Sequence, residues 1–288
     1  MPMSWSVLEA IGHLPDIEID IADAALQLAR LETGRGDEPP GDWRETAAHL
    51  SELARESARI GDVMRDSSPE ARAGAITGLL HGRFAYRGDT DTYDDLANAN
   101  LIKVVRRRRG LPVALGVLWL HCLRAAGWEA QGIDFPGHFL VSLDPQGGEQ
   151  RGGSGRGGRL LIDPFGCGRV MNSSALVELL RGIIGAEAVL QPGMVRPMST
   201  RAVLLRLQRN LVQRRLLAHE LEGALGSLES MLRIAPDEAG NWLGAADLHQ
   251  RLGHTEEAIS CLERFLVLVP QSEAASLARL QLEALRRS

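Results

Sequence analysis

The chain has 288 residues, is 44% hydrophobic and 24% charged, and carries a net charge of −5 with a pI near 5.9. That is an ordinary globular balance with enough apolar material for a sizeable core. No overall positive field exists to attract nucleic acid or an anionic membrane, so neither is an expected partner. Cys122, Cys167 and Cys261 show no CxxC or Cys/His spacing, so no zinc site, disulfide framework or cofactor is expected.

MPMSWSVLEAIGHLPDIEIDIAD carries acids early and no long apolar run, unlike a signal peptide or membrane anchor. A reducing cytoplasm is the expected location. From Ile19 to Leu31 apolar residues recur three and four apart, which predicts a helix. Gly34 to Asp42 (GRGDEPPGD) is a breaker stretch. Trp43 to Ile60 repeats the helical spacing. Ser68-Pro69 reads as an N-cap and first helical residue, opening a helix to about Leu80. FAYRGDTDTYDD is a polar link, followed by a predicted helix from Asp95 to Arg108.

Gly110-Leu111-Pro112 then interrupts, and VALGVLWLHCLRAA runs to Gly127, apolar on nearly every face, as a buried central helix must be. Three β-like pieces follow: Glu129 to Phe135, His138 to Leu143 and Arg159 to Phe165, the first of them the weakest. DPQGGEQRGGSGRGG between the last two is too glycine-rich to form core and reads as a mobile hairpin loop. Helix followed by antiparallel strands is an α+β pattern. A short helix is predicted from Ser174 to Gly185, and a Pro/Gly linker from Gln191 to Thr200.

Beyond the linker the chain reads as helical and contains a repeat. EGALGSLESMLRIAP (Glu222 to Pro236) matches EEAISCLERFLVLVP (Glu256 to Pro270) at an offset of 34, the tetratricopeptide period. Trp242 falls at that repeat's tryptophan position, Gly253 at its inter-helix turn, and His249 replaces the usual tyrosine. A last helix, Glu273 to Arg287, would cap the stack.

A buried helix, a strand-borne histidine and a strand-borne aspartate, in that order, follow the logic of papain-like thiol enzymes. In these a cysteine at the helix N-terminus is activated by the helix dipole and the histidine. YDDLANANLIKVVRRRRGLPVALGVLWLHCLRAAG, GIDFPGHFLV, LIDPFGCGRV and the repeat resemble the bacterial SirB-type proteins, over roughly Ile76 to Pro270. The resemblance implies an α+β transglutaminase-like core with N-terminal helices and an all-α tetratricopeptide region. The expected parts are an N-terminal helical segment packed on the core (1–92), the core itself (93–190) and the repeats (200–288). That family is described as transglutaminase-like by fold and linked by name to regulation of invasion genes.

His138 and Asp163 match two positions of the triad. The third, roughly four helical turns before Gly127, lands on or beside Pro112, which suits a first helical turn but cannot attack a carbonyl. Asn98 and Asp134 are further candidates to line a ligand cleft with His138 and Asp163, or else serve as cap and turn residues. Cys122 lies deep in the apolar helix, away from the dipole's reach. Cys167, just after LIDPF, is the better substitute thiol, and Cys261 belongs to repeat packing. Arg106 to Arg109 read as solvated charge at a helix end, and His81, His219 and His254 as isolated. The expectation is a non-catalytic interaction or regulatory protein that binds a protein or peptide through its repeat groove and a residual His/Asp cleft. The alternative is a hydrolase or acyltransferase using Cys167 or an activated water.

Overall fold

The computed structural model describes residues 3–33, 42–144 and 159–287. The expected turn from Gly34 to Asp42 lies almost wholly outside them, as does the glycine-rich insert. Two compact units emerge, Asp16–Leu204 and Met1–Pro15 with Leu205–Ser288. This division differs from the expected three parts. Met1–Pro15 group with the C-terminal helices, and the rest of the expected 1–92 segment falls in one unit with the core on which it was expected to pack.

The chain begins with α1 (Met3–His13), α2 (Ile21–Thr33), α3 (Asp42–Val63) and α4 (Pro69–Thr77). Ser68 caps α4 as its sequence demands, accepting the Ala71 N–H at 3.2 Å. A π-helical turn, Gly78–Arg83, extends α4. The expected helix from Asp95 is instead a 3-10 turn, Leu96–Ala99, and a separate α5 (Leu101–Arg107). Asp95 and Asn100 each cap one piece, which is why the chain breaks between them. Two-residue strands β1 (Arg87–Gly88) and β2 (Arg109–Gly110) pair in parallel around α5.

α6 (Pro112–Ala125) is the pivot of the larger unit. Every residue from Pro112 to Leu123 except His121 is buried. Helices α2, α3 and α5 lie against it on one side, and β3 (Ala130–Phe135) and β4 (His138–Leu143) on another. β5 (Leu160–Asp163), β6 (Arg169–Val170) and β7 (Arg196–Met198) complete an antiparallel sheet in the order β6-β5-β4-β3-β7. The piece that read weakest is thus interior to the sheet. Its polar positions mislead because β3 gains a second neighbour, β7, from the stretch expected to be a linker. Pro197 disguised that strand; proline is tolerated there because β7 is an edge. The far face of the sheet is covered by α7 (Ser173–Ile184), with Ile133, Phe135, Leu140, Leu176 and Leu180 in one cluster.

Helix α8 (Thr200–Leu217) starts under a distant cap: both carboxylate oxygens of Asp16 accept N–H groups, from Thr200 and Arg201, each at 2.8 Å. In the other unit follow α9 (Leu221–Ile234), α10 (Ala239–Arg251), α11 (Thr255–Leu268) and α12 (Glu273–Leu285). The repeat reaches the backbone. Helices α9 and α11 close with residues 34 apart, Ala235 at φ −146°, ψ 70° and Val269 at φ −134°, ψ 73°. α1, which no sequence signal placed, packs on α9 so closely that a Cβ on Gly12 would overlap the Arg233 carbonyl.

The same offset aligns His219 (φ 60°) with Gly253 (φ 78°), so the first copy holds an exposed L-residue where the second has glycine. Relieving that left-handed conformation outweighs the extra unfolded-state entropy of glycine. His219→Gly is expected to stabilise the protein by about 0.5–1 kcal/mol, read as a higher urea midpoint at unchanged slope.

Candidate functional site

The Phe135-Pro136-Gly137-His138 turn joins β3 to β4, with Phe135 opposite His138. Gly137 has φ +66°, the left-handed geometry that the residue after a turn proline takes in a type II turn. His138 therefore opens β4, and Asp163 closes β5. His138 Nε2 lies 2.9 Å from Asp163 Oδ1, and both residues are buried. Because a carboxylate only accepts, Nε2–H is the donor. Asp163 is itself held: Oδ1 accepts the Phe165 N–H at 3.0 Å, and its carbonyl accepts from Gly168 at 2.9 Å. The Phe165 ring stands edge-on to the imidazole at 6.1 Å, and Tyr93 stands edge-on to Phe165 at 5.9 Å.

Of the four expected cleft residues, the structure joins only His138 and Asp163. Asp134 pairs with Phe139 across the hairpin while His138 pairs with Phe135, so Asp134 and His138 point to opposite faces of the sheet. The Asp134 carboxylate accepts instead from Arg196 Nη2 of β7 at 2.8 Å. Asn98 is fully buried and satisfied internally. Its Nδ2 donates to the Thr92 carbonyl at 2.6 Å, its Oδ1 accepts from Arg107 at 3.1 Å, and its carbonyl accepts the Leu111 N–H at 2.9 Å. Asn98 fixes the entry to α6 and is no cleft residue. Sequence adjacency to the motifs suggested both; strand alternation and burial decide against them.

Pro112 is the first residue of α6, behind an N-cap, Leu111, whose side chain makes no capping bond. Burial pushes the Cys122 thiol up to about 12 and Cys261 up to about 11, far from a thiolate at neutral pH. Cys167 is exposed, at φ 55° in the turn after β5.

His81, which read as isolated, is tied into the core through Trp119 and Tyr86. It lies on the π-helical turn, where such distortions often accompany function. Trp119 Nε1–H donates to its Nε2 at 3.1 Å, and its Nδ1–H donates to the Tyr86 carbonyl. Those two partners fix a neutral tautomer. Burial lowers its pKa, and the hydrogen bond to the Tyr86 carbonyl and the more distant charge of Asp163 partly oppose that. Nothing in a lone histidine between two leucines and a glycine signals this. His254 is not isolated either, its Nδ1 lying 3.4 Å from that of His249.

The polar link before α5 is an ordered scaffold. Fully buried Asp89 accepts from the Thr92 N–H at 2.9 Å, the Thr92 hydroxyl at 2.8 Å and Arg107 Nη2 at 2.8 Å. Burial pushes its carboxyl up, but these donors outweigh it and hold the pKa near 2. The arginine run is therefore not merely solvated: Arg107 serves Asp89, and Arg109 serves Asp91 at 2.7 Å.

In the other unit a cavity of about 670 Å³ lies among α1, α9, α10 and α11. Glu9, Glu229, Glu256 and Glu257 give it an acidic lining against one arginine, Arg233, with Leu232 and Trp242 as apolar surface. Among the described residues no group of three or more His, Cys, Asp or Glu could hold a metal ion. No helix among them is long and apolar enough to cross a membrane.

Residues 44–209 match the model of the transglutaminase-like superfamily, and residues 211–283 that of the tetratricopeptide repeat. A UPF0162 protein of Vibrio cholerae is 28% identical over 275 residues, 95% of this chain and 96% of that protein. One from Xylella fastidiosa is 29% identical over 208 residues, 71% and 70% of the two chains. F-box only protein 21 of Homo sapiens is 25% identical over 198 residues, 65% of this chain but 29% of that protein. No solved structure matches.

Proposed function

The chain belongs to the transglutaminase-like superfamily, and from that premise we propose that it is a non-catalytic member, an interaction or regulatory protein of the bacterial cytoplasm. The observation that carries this is Pro112. Thiol chemistry in this architecture needs sulfur at the start of the central helix, and α6 starts with a proline. The two buried thiols, held protonated, do not substitute. The His138–Asp163 pair then ties β4 to β5 and offers a polar corner without a nucleophile.

The proposed binding element is the tetratricopeptide unit, whose stacked helix pairs commonly present surfaces to partner peptides. Four glutamates around Trp242 suit a cationic segment, whose ammonium or guanidinium groups would meet carboxylates and an indole face. Glu256 and Glu257 are exposed in the first turn of α11. In the intact protein, the double substitution Glu256→Lys, Glu257→Lys is expected to weaken capture of an identified partner about tenfold or more, most strongly at low salt. His138→Ala is expected to leave it unchanged. Capture that survives the charge reversal but fails in His138→Ala would move the binding site to the core.

A second reading rests on the dyad's intact 2.9 Å geometry. A hydrolase or acyltransferase would use Cys167 or a water activated by His138, with Asp163 orienting the ring.

A further inference from the structure

Arg108, between Arg107 and Arg109 with their aspartates, has no carboxylate partner among the described residues. Its Nη1 donates to His49 Nε2 and to the Tyr86 hydroxyl, and its guanidinium lies over the Tyr86 and Phe84 rings, 4.8 and 5.7 Å from their centroids. Among the described residues no carboxylate lies within ion-pair distance of it, and no hydrogen bond uses its Nε or Nη2. A half-buried guanidinium with only neutral partners retains an unmet demand for negative charge.

The backbone adds a second observation. Arg108 caps α5 in the left-handed conformation, φ 57°, ψ 24°. Glycine is the ordinary choice at such a helix end, and an L-residue there costs about 1–2 kcal/mol. Nonglycine strain of this kind gathers where a side chain has work to do.

The third is space. A cavity of about 530 Å³, ordinary for a small-molecule site, is lined by Arg108 with Glu45, His49, Ile102, Val105 and Arg106. His49 contributes no cation where it meets Arg108: a guanidinium only donates, so His49 Nε2 must accept. Its Nδ1 lies 3.4 Å from Glu52 Oε2.

We propose that this cavity binds a small monocarboxylate with an aliphatic portion. The planar guanidinium presents Nε–H and Nη2–H as a fork matched to the two oxygens of one carboxylate. Ile102 and Val105 give the lining its aliphatic surface. Exposed Glu45 disfavours a dianion such as phosphate.

The test is a methyl-resolved NMR titration of the full chain with sodium hexanoate, beside inorganic phosphate and sodium chloride at matched ionic strength. Hexanoate is expected to shift the Ile102 and Val105 methyls saturably, and Arg108→Gln to weaken that binding about tenfold or more. Should the glutamine variant not fold, Arg108→Lys, which keeps the charge and loses the fork, is read the same way. Absence of saturable shifts with hexanoate, saturation of the same methyls by phosphate alone, or undiminished binding by the folded Arg108 variant would each overturn the proposal.

Discussion

Trp119→Ala is expected to destabilise the protein by about 3–5 kcal/mol, measured by urea unfolding of the full chain. Trp119 is among the largest fully buried side chains and sits midway along α6. Its removal leaves a cavity beneath the turn after β5, where a Cβ on Gly168 would lie 2.8 Å from the indole. It also takes the donor away from His81 Nε2, leaving a half-buried acceptor without its partner. Trp119→Phe keeps most of the area and loses the bond, so it should cost about 1–2 kcal/mol. Because the indole supports both His81 and the turn that follows Asp163, the alanine variant should also raise hydrogen exchange at Phe165 and Gly168.

Phe139→Ala is expected to cost a similar 3–5 kcal/mol. The ring is 1% exposed and fills a slot between α6 and the sheet that exists only because two of its walls are glycine. A Cβ on Gly132 would lie 2.8 Å from the ring, and one on Gly116 would overlap it. Gly116→Ala should therefore destabilise by about 2 kcal/mol, the overpacking outweighing the roughly 1 kcal/mol gain in helix propensity. Combining Gly116→Ala with Phe139→Leu should recover part of the loss. Strict additivity of the two changes would show that ring and glycine do not meet as described.

What was legible in the sequence was mostly local or periodic. The Pro136-Gly137 turn announces the hairpin that carries His138, and the all-apolar run from Pro112 announces the helix on which the sheet is built. The 34-residue offset holds down to equivalent cap dihedrals, because a repeat writes the same local instructions twice. What was not legible required knowing which distant segments meet. α1 carries no distinctive pattern and is fixed by its approach to α9 at Gly12. β7 contains a proline and becomes a strand only because β3 offers it an edge. Asn98 and Asp134 looked like cleft residues because they flank the motifs. Burial turned the first inward, and strand alternation put the second on the opposite face from His138. His81 meets Trp119 and the Tyr86 carbonyl from a π-helical turn that sequence periodicity does not specify.

The most direct measurement is the acylation rate of each cysteine in the intact protein, resolved by mass spectrometry with a thiol-reactive acyl probe, in wild type and in His138→Ala. Slow modification of exposed Cys167 at a rate typical of an ordinary thiol, the same in both proteins, with Cys122 and Cys261 protected, is the predicted result. Fast acylation of Cys167 that disappears in His138→Ala would contradict it, because the imidazole would then be serving a nucleophile that α6 itself does not provide.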